Sequence, residues 1–144
     1  MAACTANGTV SDIRAENVHI STSGDNAHAG IGAGLVGGGG MVTNTTAVNS
    51  TVETSGKIAC AGTGVGVVLD GGTVANTMAV NSRVKTSGFN ADAGIGGGGV
   101  DKAGTVANTK AVNSTVKTSG EFADAGINYE NRCRPLLEKK KLKK

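Results

Sequence analysis

Large side chains are scarce in this chain. Its 144 residues include no Trp, one Tyr, two Phe and a single Pro. A single globular domain of this length normally fills its core with more aromatic bulk, so the composition argues against an ordinary core. The alternatives are disorder or a fold that buries small side chains in thin, regular layers. Disorder accompanies low hydrophobicity and high net charge. Here 38% of residues are hydrophobic and the formal net charge is +3, which favours the layered fold.

Signals for targeting and crosslinking are also missing. Residues 1–6 show neither a charged n-region nor an apolar h-region, so no signal peptide is predicted. The chain has no apolar run near the length of about 18 residues that a membrane-spanning helix needs. A missing leader fits a cytosolic protein or a fragment of a longer secreted chain. Three cysteines are an odd count, which argues against a disulfide framework, and Cys4 and Cys133 are expected not to be bridged.

What the sequence does contain is a unit of 32 residues that recurs four times without a gap. Equivalent positions hold the same or similar residues in every unit, and such columns define the repeat. Examples are Val10, Val42, Val74 and Val106; Asp12, Asn44, Asn76 and Asn108; Asn17, Asn49, Asn81 and Asn113; and Ile20, Val52, Val84 and Val116. A gapless period of this length indicates structural units stacked on one another.

The unit is β rather than α, because small and β-branched residues recur with a spacing of two among many Gly, Asn and Thr. The sequence therefore predicts an all-β fold, a right-handed parallel β-helix or β-solenoid of four rungs over residues 1–128. In the third unit, strands are predicted near 73–77, 79–86 and 91–97. Turns are predicted at Ser87-Gly88 and in the glycine run 96–99.

The columns also separate inside from outside. Positions that stay small and apolar are predicted to point inward: Val74, Ala79, Val84, Ala91, Ala93 and Ile95. Positions that vary freely are predicted to point outward: Arg14, Thr46, Met78 and Lys110 in one column, and Ser21, Glu53, Lys85 and Lys117 in another. The two Asn columns, through Asn49 and Asn76, are predicted to form internal ladders at the bends.

These residues resemble a known repeat. The segments Ala93-Gly94-Ile95-Gly96, Gly104-Thr105-Val106-Ala107-Asn108, Val116-Lys117-Thr118-Ser119-Gly120 and Ala125-Gly126-Ile127, with Ala111, are similar to the GLUG-type repeat of bacterial surface proteins. The resemblance covers residues 8–128. It departs at Lys110, where the family has an aromatic residue, and at Ile95, where it has Leu. It implies a right-handed parallel β-helix in a secreted or adhesin-like protein, at the cell surface or outside the cell.

One column holds side chains that could act in catalysis or bind a metal: His28, Cys60, Asp92 and Asp124. A Cys beside a His can act as a nucleophile, and His, Cys and Asp can bind zinc. The position varies as an exposed position does, however, and a one-dimensional ladder suits tetrahedral coordination poorly. The simpler interpretation is a solvated outer face, so no metal, cofactor or catalytic residue is predicted.

The C-terminal residues 129–144 break the repeat and carry seven basic and two acidic side chains. Pro135 can open a short helix whose Leu136, Leu137 and Leu142 cover the last rung, as a solenoid requires. Binding to nucleic acid or acidic lipid is the alternative. Because no aromatic residue supports base stacking, the cap or tail is favoured and no nucleic-acid partner is predicted.

Two functional interpretations follow. The first is a non-catalytic structural or interaction module with a protein or surface partner and some self-association through the solenoid ends. An enzyme is disfavoured because the acidic residues are scattered. The second is an ice-binding solenoid that uses a flat, hydroxyl-rich face of the first strand. We call this candidate surface the threonine face, and its residues are Thr43, Thr45, Thr73, Thr77, Thr105 and Thr109.

Overall fold

A computed structural model describes the backbone of residues 2–100 and 103–126, with side chains from residue 7 onward. This part of the chain is all β. The strands, in chain order, are β1 (Ala2–Ala6), β2 (Thr9–Glu16), β3 (His19–Thr22), β4 (Ala29–Gly30), β5 (Ala33–Gly37), β6 (Met41–Val48), β7 (Thr51–Thr54), β8 (Ala61–Gly62), β9 (Val65–Val68), β10 (Thr73–Val80), β11 (Arg83–Thr86), β12 (Ala93–Gly94), β13 (Gly97–Val100), β14 (Thr105–Val112), β15 (Thr115–Thr118) and β16 (Ala125–Gly126).

These strands form four parallel sheets of four strands each, stacked as a β-solenoid of four turns. The A sheet holds β1, β5, β9 and β13, and the B sheet holds β2, β6, β10 and β14. The C sheet holds β3, β7, β11 and β15, and the D sheet holds β4, β8, β12 and β16. One rung visits the sheets in the order A, B, C, D. The predicted parallel β-solenoid with 32 residues per turn is confirmed, since Val74 pairs with Val42 and Val106, and Val84 with Val52 and Val116.

Two small cores fill the solenoid. Val42, Val74 and Val100 belong to the first, which packs the A sheet on the B sheet. Ala79 and Val84 belong to the second, which lies between the B, C and D sheets. All six side chains predicted to point inward are fully buried: Val74, Ala79, Val84, Ala91, Ala93 and Ile95. Thin layers of Ala and Val thus replace the aromatic core that the composition excludes.

Each strand of the B sheet contains one residue that interrupts the alternation of its side chains, so the strand contributes side chains to both cores. Asn76, in the middle of β10, lies in the left-handed region at φ 57°, as do its column mates Asp12, Asn44 and Asn108. Asn and Asp tolerate this region better than other residues with a Cβ. A single left-handed residue interrupts the alternation of side chains, so Val74 and Thr77 both face inward although three positions separate them.

The Asn76 column forms a ladder, but on the surface. The amide nitrogen of Asn44 donates to Asp12 Oδ1 at 2.9 Å, that of Asn76 to Asn44 Oδ1 at 3.1 Å, and that of Asn108 to Asn76 Oδ1 at 3.2 Å. The prediction of internal ladders was wrong in location, because these amides are exposed, as is Asn49. The left-handed residue keeps its own side chain outward and the next residue turns inward, as Asn76 and Thr77 do, which accounts for the difference.

The glycine runs behave differently from one another. In the run 37–40, Gly38 and Gly39 have positive φ and make the turn between the A and B sheets. In the run 96–99, the predicted turn was wrong, since Gly97–Val100 is strand β13. A Cβ on Gly98 would lie 2.8 Å from the backbone nitrogen of Ala61. Glycine is therefore needed there because the A and D sheets pack backbone to backbone.

The corner between the C and D sheets is closed by a repeated hydrogen bond. The hydroxyl groups of Thr22, Thr54, Thr86 and Thr118 each donate to the carbonyl of the residue five positions on. The strands that meet at this corner are shorter than predicted: 79–86 is split between β10 and β11, and 91–97 between β12 and β13.

The proposed cap, 129–144, lies outside the described residues, as do the side chains of Cys4 and Cys133.

Candidate functional site

Only three of the six residues of the threonine face have side chains on the surface. Thr43 and Thr73 are partly exposed and Thr105 is exposed, on the outer side of the B sheet. By contrast, Thr45 is 0% exposed and Thr77 is 1% exposed. The hydroxyl of Thr109 is buried as well. The prediction that Thr45, Thr77 and Thr109 point outward was wrong, because the left-handed residue before each of them reverses the alternation.

The buried threonines sit between the two cores. Within the part of the chain that the structure describes, the hydroxyl oxygens of Thr45, Thr77 and Thr109 are buried without a hydrogen-bond partner. Each packs against a glycine of the column Gly32, Gly64 and Gly96, where a Cβ would fall within about 3.1 Å of the hydroxyl. They shape the junction between the cores and do not reach solvent.

The column of His28, Cys60, Asp92 and Asp124 forms hydrogen bonds between adjacent rungs. The backbone N–H of Cys60 donates to His28 Nδ1 at 3.1 Å, that of Asp92 to Cys60 Sγ at 3.4 Å, and that of Asp124 to Asp92 Oδ1 at 2.8 Å. Cys60 and Asp92 are fully buried, so the prediction of a solvated outer column was wrong for these two. A polar side chain can be buried at this corner because it satisfies a backbone N–H of the rung above.

This geometry gives the column a structural role. Burial lowers the pKa of His28, which favours the neutral ring whose Nδ1 accepts a hydrogen bond. Cys60 is disulfide-bonded, so its sulfur is not a free nucleophile. Across the described residues, no group of three or more His, Cys, Asp or Glu side chains is placed to hold a metal ion.

The outer face of the C sheet carries a feature that sequence inspection missed. A shallow polar groove of about 240 Å³ runs across the rungs, lined mainly by Ser21, Glu53, Ser55, Lys85 and Ser87. The free variation of the Ser21 column was the available signal, since it placed these side chains outside. Their meeting in one groove follows from the corner that Thr54 closes, which the repeat pattern alone does not specify.

The basic face, as we call Arg83, Lys85 and Lys117, lies on this same side of the C sheet. Arg83 and Lys85 are two positions apart on β11, and Lys85 pairs directly with Lys117 on β15. On its other side Lys85 pairs with Glu53, and His19 Nε2 of the first rung lies 3.9 Å from Glu53 Oε2. The acidic and basic side chains of this sheet are thus separated along the solenoid axis.

The described residues include no helix long and apolar enough to cross a lipid bilayer. Comparison of the chain with protein-family models, with curated proteins and with solved structures found no match.

Proposed function

We propose that this chain is a non-catalytic structural or interaction module whose rigid solenoid displays outward side chains to a partner. One observation carries the proposal: strands in constant register hold a nearly invariant core while some of their outward columns change from rung to rung. The column of Ser21, Glu53, Lys85 and Lys117 shows this directly, with neighbouring members paired across β3, β7, β11 and β15. The GLUG-type resemblance supports a place on a bacterial surface or in a secreted protein.

The basic face is the part of this display with a definite chemical preference. Like charges directly opposite one another on a sheet are destabilising, and Lys85 and Lys117 are such a pair. Serine, which the first rung has at this column, would avoid that cost. Retaining two lysines beside Arg83 therefore favours a partner that supplies negative charge, such as an acidic polysaccharide or an acidic protein surface.

The test replaces the basic face without touching the core. A variant with Arg83→Thr, Lys85→Ser and Lys117→Ser uses residues that other rungs carry in the same columns. Its midpoint of thermal unfolding should be equal to or slightly above that of the parent chain, since surface changes stay within about 0.5 kcal/mol and the repulsion between Lys85 and Lys117 is removed. On an anionic polysaccharide column it should elute at lower salt than the parent, because three cations are lost while the tail is unchanged.

A matched control changes a buried residue of the same strand instead of its exposed cations. Val84 lies between Arg83 and Lys85 and is fully buried, so Val84→Ser should lower stability while leaving the eluting salt concentration of the folded protein unchanged. If the triple variant and the parent elute together, the basic face is not an interaction surface. Turnover of a polysaccharide by the purified chain would contradict a non-catalytic role.

Ice binding is the second candidate, and the exposure of Thr43, Thr73 and Thr105 on the outer side of the B sheet is the observation in its favour. It needs a regular array of hydroxyl groups on that side. Burial of Thr45 and Thr77 removes the paired spacing, and Met41 and Met78 stand exposed at 40% and 37% on the same side. We therefore expect the folded protein to show no thermal hysteresis in a nanolitre freezing assay with a known ice-binding protein as positive control. A clear hysteresis gap would promote this candidate above the module.

A further inference from the structure

The two ends of the solenoid match each other in backbone. In the B sheet, β2 and β14 are the edge strands, and β3 and β15 are the edge strands of the C sheet. Edge strands offer N–H and C=O groups that can template another chain. A second copy stacked on the fourth rung would place its Val10 over Val106 and its Ile20 over Val116, continuing both core columns. Such a head-to-tail contact does not close and would extend into a filament.

The surface ladder of the Asn76 column cannot be continued in this way. Every bond in it runs in one direction, with the amide nitrogen of the upper rung donating to the oxygen of the rung below. The first rung holds Asp12 instead of Asn. An ionised Asp side chain accepts hydrogen bonds and has none to donate, so Asp12 of a second copy would set its carboxylate against Asn108 Oδ1. Reversing the amides would only move the clash to the contact between Asn44 and Asp12 within each chain.

A second ladder fails at the same place and runs in the opposite direction. The backbone N–H of Val18 donates to Ser50 Oγ at 3.2 Å, that of Ser50 to Ser82 Oγ at 3.2 Å, and that of Ser82 to Ser114 Oγ at 3.1 Å. Here each rung needs a hydroxyl group from the rung above. A second copy would offer Val18, which has no hydroxyl, to the N–H of Ser114.

We infer that Asp12 and Val18 of the first rung keep a second copy of this chain from stacking on the fourth rung. Both residues are the sole departures from their columns, which read Asn in the other three rungs of one column and Ser in the other three rungs of the second. Each departure removes the group that a neighbouring copy would need. Within the chain neither costs a ladder bond, because Asp12 still accepts from Asn44 and Val18 still donates to Ser50.

The test restores the repeat at both positions. The full chain with Asp12→Asn and Val18→Ser should form head-to-tail oligomers, with a mass at least twice that of the parent by sedimentation velocity at equal concentration. Its mass should rise further with concentration. The parent should stay monomeric under the same conditions, in contrast to the self-association through the solenoid ends that the repeat alone predicts. Because Val18 packs on the core, the single variant Asp12→Asn provides a second measurement that does not disturb packing, and it should show weaker association of the same kind.

A control variant separates the ladder bonds from simple loss of charge or bulk. Asp12→Ala with Val18→Ala removes the same side chains but supplies neither an amide nor a hydroxyl, so it should stay monomeric. Association of this variant to the same degree as the restored chain would overturn the inference. So would an oligomeric parent, or a folded, restored chain that stays monomeric, with the fold checked by circular dichroism.

Discussion

Replacing Gly88 with Ala should prevent the chain from holding its rungs together. A Cβ on Gly88 would approach the carbonyl oxygen of Gly56 in the rung below more closely than 3.0 Å. The two rungs cannot separate at this point, because the N–H of the adjacent Ser87 donates to the carbonyl of Thr54 at 3.0 Å. The rung above is equally close, since a Cβ on Gly120 would meet the carbonyl oxygen of Gly88. We expect a loss of about 3 kcal/mol or more, as for severe overpacking.

Chemical denaturation followed by circular dichroism measures this loss, and Gly24→Ala is the matched control. Gly24 occupies the same column in the first rung, where a Cβ would meet the Ala27 Cβ at 3.5 Å, an ordinary contact. Gly24→Ala should therefore change stability little. Equal stability of the two variants would show that the rungs are not in close backbone contact at this corner.

The stacking of the rungs could be predicted because it depends only on the length of the repeat. A repeat that recurs every 32 residues without a gap specifies which residues are neighbours in adjacent rungs, whatever the shape of each rung. Pairing of Val74 with Val42 and Val106 follows from the period alone. Burial of the constant apolar columns follows too, because an apolar side chain enclosed by copies of itself has no room to vary in size.

The shape within one rung was harder to predict, because it depends on single residues in unusual backbone conformations. Val74 and Ala79 were both placed inside although five positions separate them, which simple alternation does not allow. One left-handed residue between them resolves the conflict, and Asn76 is that residue. The constancy of its column was interpreted as a ladder, which is present, but it also marked the point where the strand changes the face it buries.

The candidate sites were harder still, because burial of a polar side chain depends on partners that the column does not reveal. Asp92 and Cys60 are buried since each accepts a backbone N–H from the next rung. A sequence shows that Asp92 carries a charge, and a charged residue is normally exposed. The same limit applied to Gly98, because its requirement for glycine comes from contact with Ala61 in another sheet.

Because the side-chain alternation changes at Asn76, a charged substitution should have very different consequences for stability at two threonines of strand β10. Thr77 is 1% exposed, and Glu at this position would bury a carboxylate between two apolar cores. An unpaired buried charge destabilises by several kcal/mol, so we expect Thr77→Glu to unfold the chain at neutral pH. Thr73 lies at the start of the same strand with its side chain outward, and Thr73→Glu should change the free energy of unfolding by no more than about 0.5 kcal/mol.

A third substitution tests whether the hydroxyl of Thr77 itself contributes. This oxygen is buried without a hydrogen-bond partner among the described residues, and a buried group of that kind costs about 1–3 kcal/mol. Valine has nearly the same shape without the hydroxyl group, so Thr77→Val should raise the free energy of unfolding by about 1 kcal/mol. Urea titrations of all three variants measure both effects. Tolerance of Glu at position 77, or loss of stability with Val, would mean that Thr77 faces solvent and that the strand alternates without a break.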